Sequence, residues 1–129
     1  LLDLVDHLIV SRAFAARRTG TDDPAAAARF LWADGRNAVV VTCGEDGCWY
    51  IGAEGTGPVH QPAFRVPVVD TTGCGDVFHG AYAAALARRL DLAGRVRFAS
   101  AAAALKAMHA GAQAGIPTRA AVEALIQDR

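Results

Sequence analysis

Short apolar runs alternate along this chain with stretches in which apolar residues recur at helical spacing. Residues 5–10 read as a strand and 12–18 as a short helix. Thr21-Asp22-Asp23-Pro24 then starts a second helix, with proline at its opening, that carries Phe30, Leu31 and Trp32 to about Asp34-Gly35. Val39 to Thr42 is continuously apolar until its last residue, the mark of a strand buried on both faces. Glu45-Asp46-Gly47 turns the chain into Cys48 to Ile51, which predicts a hairpin. A glycine-rich turn over Ala53 to Pro58 leads to a short strand at Val59 to Gln61, and Pro62 and Pro67 bracket an extended connection. Three helical segments close the chain, at about 77–90, 92–110 and 118–127. Strands interleaved with helices predict an α/β sheet with helices on its faces.

Composition narrows the partners. Thirteen basic and thirteen acidic residues leave a formal net charge of zero, with no basic stripe suited to nucleic acid. No apolar run reaches the roughly twenty residues that span a bilayer, so neither nucleic acid nor membrane is an expected partner. Arg17-Arg18 and Arg88-Arg89 read as solvated helix ends. Three cysteines, an odd number, argue against a disulfide framework and for a reducing cytoplasm. Cys43 and Cys48 read as two buried thiols on paired strands. At 129 residues the chain is long enough for one domain spanning 1–129 with a modest core.

The chemistry concentrates in Val69-Asp70-Thr71-Thr72-Gly73-Cys74-Gly75-Asp76-Val77-Phe78-His79-Gly80. A β-branched run (Val66, Val68, Val69) reads as a strand that stops at Asp70, a glycine-rich turn follows, and Asp76 opens an alanine-rich helix. Strand, glycine turn and helix N-terminus in that order favour an anion, because unpaired amides and the helix dipole point at it. A carboxylate in such a place should repel the anion. The conflict resolves if the anion is a phosphoryl group in transfer and Asp76 takes the proton of the attacking hydroxyl. Gly73 and Gly75 would let the backbone approach closely. Taken alone, the pattern reads more simply as a loop that only caps a helix, with Asp76 as N-cap. Cys74 lies in the same turn, where a helix N-terminus lowers a thiol's pKa and makes it reactive.

Asp70-Thr71-Thr72-Gly73-Cys74-Gly75-Asp76, followed by Phe78 and Gly80, resembles the C-terminal signature of the ribokinase-like carbohydrate kinases, the PfkB family. The family pattern is Asp-Thr-x-Gly-Ala-Gly-Asp and then x-Phe-Asn-Gly, so Cys74 and His79 depart from it. Val39 to Tyr50 is similar to the family's strand-turn-strand with its Thr-x-Gly-x-x-Gly core, here Thr42, Gly44 and Gly47. Val5 to Ala15 is similar to the strand leading into an Asn-x-x-Glu segment, with Ser11 and Phe14 at those two positions. Phe98 to Ala104 resembles the helix that walls the adenine pocket, and Gly111 to Pro117 the loop that closes it.

The resemblance implies a ribokinase-like α/β fold, the C-terminal part of a mostly parallel sheet flanked by helices. Family members are usually more than twice as long, and Leu1-Leu2-Asp3 has no initiator methionine, so the chain reads as a C-terminal portion without the substrate half and lid. The implied reaction is ATP-dependent phosphotransfer to a hydroxyl of a sugar or sugar-like substrate, with Asp76 as general base. Gly73, Cys74, Gly75 and Asp76 would supply the anion hole. Thr42, Gly44 and Gly47 would approach the nucleotide's phosphates and ribose, Ser100 the adenine, and Asp70 with Thr72 a monovalent cation, K+. Mg2+ would travel with the phosphates, held by water and phosphate oxygens. A full-length enzyme of this kind is expected to be a cytoplasmic homodimer. The rival reading is a catalytically inactive nucleotide-binding or structural fragment that lacks the acceptor half.

Overall fold

The computed structural model describes residues 1–33, 35–53 and 57–129. Within them the chain divides into two compact units, Leu1–Pro62 and Ala63–Arg129.

The first unit is a four-stranded sheet with two helices. β1 (His7–Ser11), β2 (Ala38–Thr42), β3 (Cys48–Gly52) and β4 (Val59–Gln61) lie side by side in chain order. β1 and β2 run parallel, joined by α1 (Arg12–Thr19) and α2 (Pro24–Leu31); β2–β3 and β3–β4 are antiparallel. Parallel pairing in this part of the sheet is thus confined to β1–β2. β2 is buried on both faces, as its apolar run predicts, with Val39, Val40 and Val41 fully buried. Leu8, Val39, Val41 and Ile51 pack with Ala15, Ala27, Ala28 and Leu31 of the helices into one core. Small alanines let the helices approach the sheet closely, and each fully buried aliphatic side chain contributes about 1.5–3 kcal/mol.

Local chemistry fixes where these helices begin. Ser11 Oγ accepts the Phe14 N–H at 3.2 Å and caps α1, so the serine at this position has a structural reason of its own. Asp23 caps α2 by accepting the Ala25 N–H at 3.0 Å, with Pro24 as the first helical residue. α2 ends at Leu31, earlier than expected, because Trp32 turns extended (φ −66°, ψ 137°). The expected helix end at Asp34 and the middle of the glycine-rich turn, residues 54–56, lie outside the described residues. Two further expectations are corrected here. β2–β3 register pairs Cys48 with Thr42, which leaves Cys43 beyond the strand; Cys48 is buried, but Cys43 is only half-buried.

The second unit is helical: α3 (Cys74–Ala87), α4 (Leu92–Ala107) and α5 (Arg119–Gln127). Ala85, Phe98, Ala101, Ala102 and Val122 form its core. Asp91 caps α4 through the Gly94 N–H at 2.8 Å, and Thr118 caps α5 through the Ala121 N–H at 3.2 Å. The stretch before α3 is not the strand that Val66, Val68 and Val69 predicted. Pro67 cannot donate to a ladder, and the N–H groups of Val69 and Asp70 go instead to the Ala107 carbonyl, at 2.7 and 3.1 Å. That carbonyl is one of the unpaired acceptors at the end of α4. Asp70 therefore sits on a helix C-terminus, not at a strand end.

Candidate active site

Three segments of the second unit converge on the turn that opens α3. Asp70 accepts the Thr72 N–H (2.9 Å) and the Thr72 hydroxyl (2.7 Å) on Oδ1, closing an Asx-type turn. Its Oδ2 accepts the Gly111 N–H at 2.8 Å. These donors hold the Asp70 carboxyl down at about 2. The Thr72 amide is the largest cause, then the Thr72 hydroxyl and the Gly111 amide, with the Lys106 charge a smaller one. The structure thus joins Asp70 to Thr72, as sequence reading paired them, and adds Gly111, which sequence reading had assigned only to a closing loop.

Gly73 is the N-cap of α3 and has left-handed backbone (φ +79°). A Cβ there would also lie 3.0 Å from the Ala112 carbonyl oxygen. Both facts require glycine. Gly75, by contrast, has no left-handed backbone, and a Cβ on it would meet nothing within 4 Å. The Cys74 N–H donates to the Thr71 carbonyl at 3.1 Å, so one of the four amides expected to face an anion is paired inside the turn. Gly75 and Asp76, the second and third helical residues, precede the first bond of the helix ladder, from Val77 N–H to the Gly73 carbonyl at 3.0 Å. Asp76 is exposed in the first turn of α3 and is not its N-cap. Burial pushes the Cys74 thiol up from its ordinary value, against the pull of Lys106, which corrects the expectation of a reactive thiol at this helix start.

Asp76 and Gly73 stand at the edge of a cavity of about 520 Å³ between α3, α4, α5 and the loop from Ala112 to Pro117. Exposed Gln113 and Arg119 share that polar rim, while buried Phe98, Ala102 and Val122 form an apolar floor. Ser100 is on α4 as expected but is not among the lining residues, which α4 supplies as Phe98 and Ala102. Thr42, Gly44 and Gly47 belong to the first unit. Thr42 ends β2, its hydroxyl donating to the Val10 carbonyl at 3.3 Å. Gly44 opens a one-turn 3-10 helix that Gly47 ends (φ +84°, ψ −135°), and the Cys43 N–H closes the turn on the Gly47 carbonyl at 2.8 Å.

Sequence reading missed the role of Lys106. The single lysine of the chain is fully buried, in the last turn of α4. Its Nζ donates to the His109 carbonyl at 3.1 Å and, at a longer 3.5 Å, to the Asp70 carbonyl. One signal was available: an alanine-rich helix that ends on a lone lysine, immediately before the loop that closes over it. Among the described residues no three His, Cys, Asp or Glu side chains gather into a group that could hold a metal ion, and no helix is long and apolar enough to cross a membrane.

The chain is similar to known carbohydrate kinases. The profile of the pfkB family carbohydrate kinases matches residues 1–119. Ribokinase of Bacillus subtilis is 45% identical over 86 residues, which cover 67% of this chain and 29% of that protein. An Arabidopsis thaliana ribokinase solved with ribose and ATP superposes with a TM-score of 0.85 at 32% identity, covering 98% of this chain and 42% of the other. An E. coli protein solved under the name ribokinase II, in complex with ATP and Mg2+, gives a TM-score of 0.87 at 27% identity over 99% of this chain and 41% of that one. The chain thus spans less than half the length of the relatives it matches.

Proposed function

The chain belongs to the pfkB family of carbohydrate kinases, and from that membership we propose that it carries the catalytic turn of an ATP-dependent kinase acting on a hydroxyl of a sugar or sugar-like substrate. The single observation that supports this reading most is the α3 start. Gly73 is held in a conformation only glycine adopts readily, Gly75 leaves its side open, and Asp76 follows on the first helical turn. Helix propensity would favour alanine over Gly75 by roughly 0.5–1 kcal/mol, and the fold takes no packing benefit from the glycine. Space kept free beside helix amides suits a phosphate.

In this proposal the amides of Gly75 and Asp76 and the α3 dipole bind and orient phosphoryl oxygens. Asp76, at the cavity rim, accepts a hydrogen bond from the acceptor hydroxyl, aims its oxygen and takes its proton as the new O–P bond forms. Gly73 fixes where that carboxylate stands, because its left-handed backbone sets the direction in which α3 leaves the turn. Magnesium-ATP supplies the phosphoryl group and ADP as its leaving group. Thr42, Gly44 and Gly47 are assigned to the nucleotide's phosphates and ribose, and Ser100 to its base, on the family resemblance. The acceptor is read as a small molecule because the relatives named above are ribokinases, one of them solved with ribose.

The test is Asp76→Asn in the full-length enzyme, with turnover and ATP binding measured separately. Loss of an aligned base lowers the rate by about 10²–10⁴ while ATP binding is retained. Unchanged turnover would remove Asp76 from the mechanism. An absence of ATP binding by the unaltered protein would favour the structural-fragment reading.

A further inference from the structure

Lys106 is the one full positive charge that the second unit buries completely. An ammonium group withdrawn from water needs acceptors on every side that can supply them. Here they are backbone carbonyls: His109 at 3.1 Å and Asp70 at 3.5 Å. The negative end of the α4 dipole adds to them, since Lys106 stands in the last turn of that helix. Gly115 packs against the same helix end: it is buried, and a Cβ there would lie 3.0 Å from the Lys106 backbone carbonyl oxygen and 2.6 Å from His109 Cβ. Carbonyl oxygens around a buried monovalent cation are also how proteins hold potassium, an ion close to ammonium in size.

The resemblance assigned a monovalent cation to Asp70 and Thr72. Those donors are already committed. Oδ1 of Asp70 takes both Thr72 bonds, Oδ2 takes Gly111, and the Asp70 carbonyl faces Lys106. We propose that Lys106 is a built-in monovalent cation for the catalytic turn, a positioning residue whose ammonium holds the Asp70 turn against the end of α4 and favours phosphate binding in front of that turn without added potassium. The charge meets the carbonyl of Asp70, the residue that leads into the segment from Thr71 to Cys74. It draws the Asp70 carbonyl inward while the Asp70 carboxylate draws Gly111 and its loop onto the same spot. The inference rests on the nucleotide reading above only for its effect on phosphate.

The experiment compares the unaltered full chain with Lys106→Ala and Lys106→Arg in choline, sodium, potassium and ammonium chloride at equal ionic strength, reading the melting midpoint and ATP affinity. The unaltered protein is expected to show the same midpoint and affinity in all four salts. Lys106→Ala is expected to lose about tenfold or more in ATP affinity in choline chloride, as for truncation of a buried charge. Ammonium or potassium should restore most of it, where choline, too large for the vacated space, does not. A plain packing defect would be indifferent to the cation and would overturn the proposal. So would a rise in the unaltered protein's midpoint or affinity on adding potassium, a result that needs no variant to fold. If the unaltered protein binds no ATP in any salt, the nucleotide reading fails. The midpoints then decide the cation role alone, and a Lys106→Ala midpoint that rises in ammonium but not in choline supports it.

Discussion

The Gly111 N–H donates to Oδ2 of Asp70 at 2.8 Å, joining residues 41 positions apart across the end of α4. Together with the Thr72 bonds it makes the Asp70 carboxylate a tie between the turn that opens α3 and the loop after α4. The tie depends on charge, which fixes its pH dependence. The folded carboxyl sits at about 2, below its ordinary 3.8. Its contribution to stability is therefore fully present above about pH 4 and is lost as pH falls towards 2. Denaturant melts of the unaltered protein and Asp70→Asn between pH 6 and pH 2 check this. The variant is expected to be less stable at pH 6, since its amide presents a donor to Gly111, and the gap should close towards pH 2. A gap that stays constant would show that the carboxylate's charge is irrelevant.

Gly73 and Gly75 look alike in the sequence and should behave oppositely. Gly73→Ala forces a left-handed alanine, at about 1–2 kcal/mol, and adds the 3.0 Å approach to the Ala112 carbonyl. Gly75→Ala replaces a helical glycine in open space and should raise stability by roughly 0.5–1 kcal/mol. Both should weaken ATP binding, the first by displacing the turn and the second by filling the space beside the phosphate. Urea melts paired with ATP titration separate the two. A stabilised Gly75→Ala with undiminished ATP affinity would mean that its open side serves no ligand.

How much of this was legible in the sequence depends on how local the cause is. Val39–Val41 declare a doubly buried strand by themselves, and Asp23-Pro24 and Asp91 declare helix starts, because cap and helix are neighbours. Val66–Val69 have the composition of a strand but no ladder, since their partner is the Ala107 carbonyl, 37 and 38 residues on from Asp70 and Val69. α3 begins at Cys74 rather than 77 because the glycine motif itself is the first helical turn. Asp70 and Thr72 were recognisable as a pair. Gly111 and Lys106, which decide what Asp70 does, reach it only through the fold.

Phe98 tests the core beneath the cavity. It is buried at 6% exposure among Ala85, Ala101, Ala102 and Val122, and the Arg88 guanidinium lies 5.5 Å above its ring. Phe98→Ala should cost about 3 kcal/mol, the lower end of the usual 3–5 because the site already borders open volume. Arg88 then loses a cation–π contact but keeps Glu123 at 3.2 Å. Chemical denaturation should show the full loss, and Arg88→Ala made on top of it should cost less than in the unaltered protein. Equal costs in both backgrounds would show that the ring and the guanidinium are not coupled.

Cys74 gives a reading of the charge behind the turn. Burial raises its thiol, Lys106 pulls it down, and Asp70 pushes it up. At pH 7 the thiolate fraction is therefore below that of free cysteine, and alkylation by iodoacetamide should be slower than for a free thiol across pH 7 to 9. Removing the Lys106 charge takes away the only opposing pull, so in Lys106→Met Cys74 should react more slowly still, with its pH–rate curve moved to higher pH. Cys48, buried at 1% exposure, serves as an internal check, because it reacts only when the first unit opens. Mass spectrometry resolves the two sites. Labelling of Cys74 in Lys106→Met at the rate and pH profile of the unaltered protein, with Cys48 still protected, would place the Lys106 charge too far from the turn to act on it.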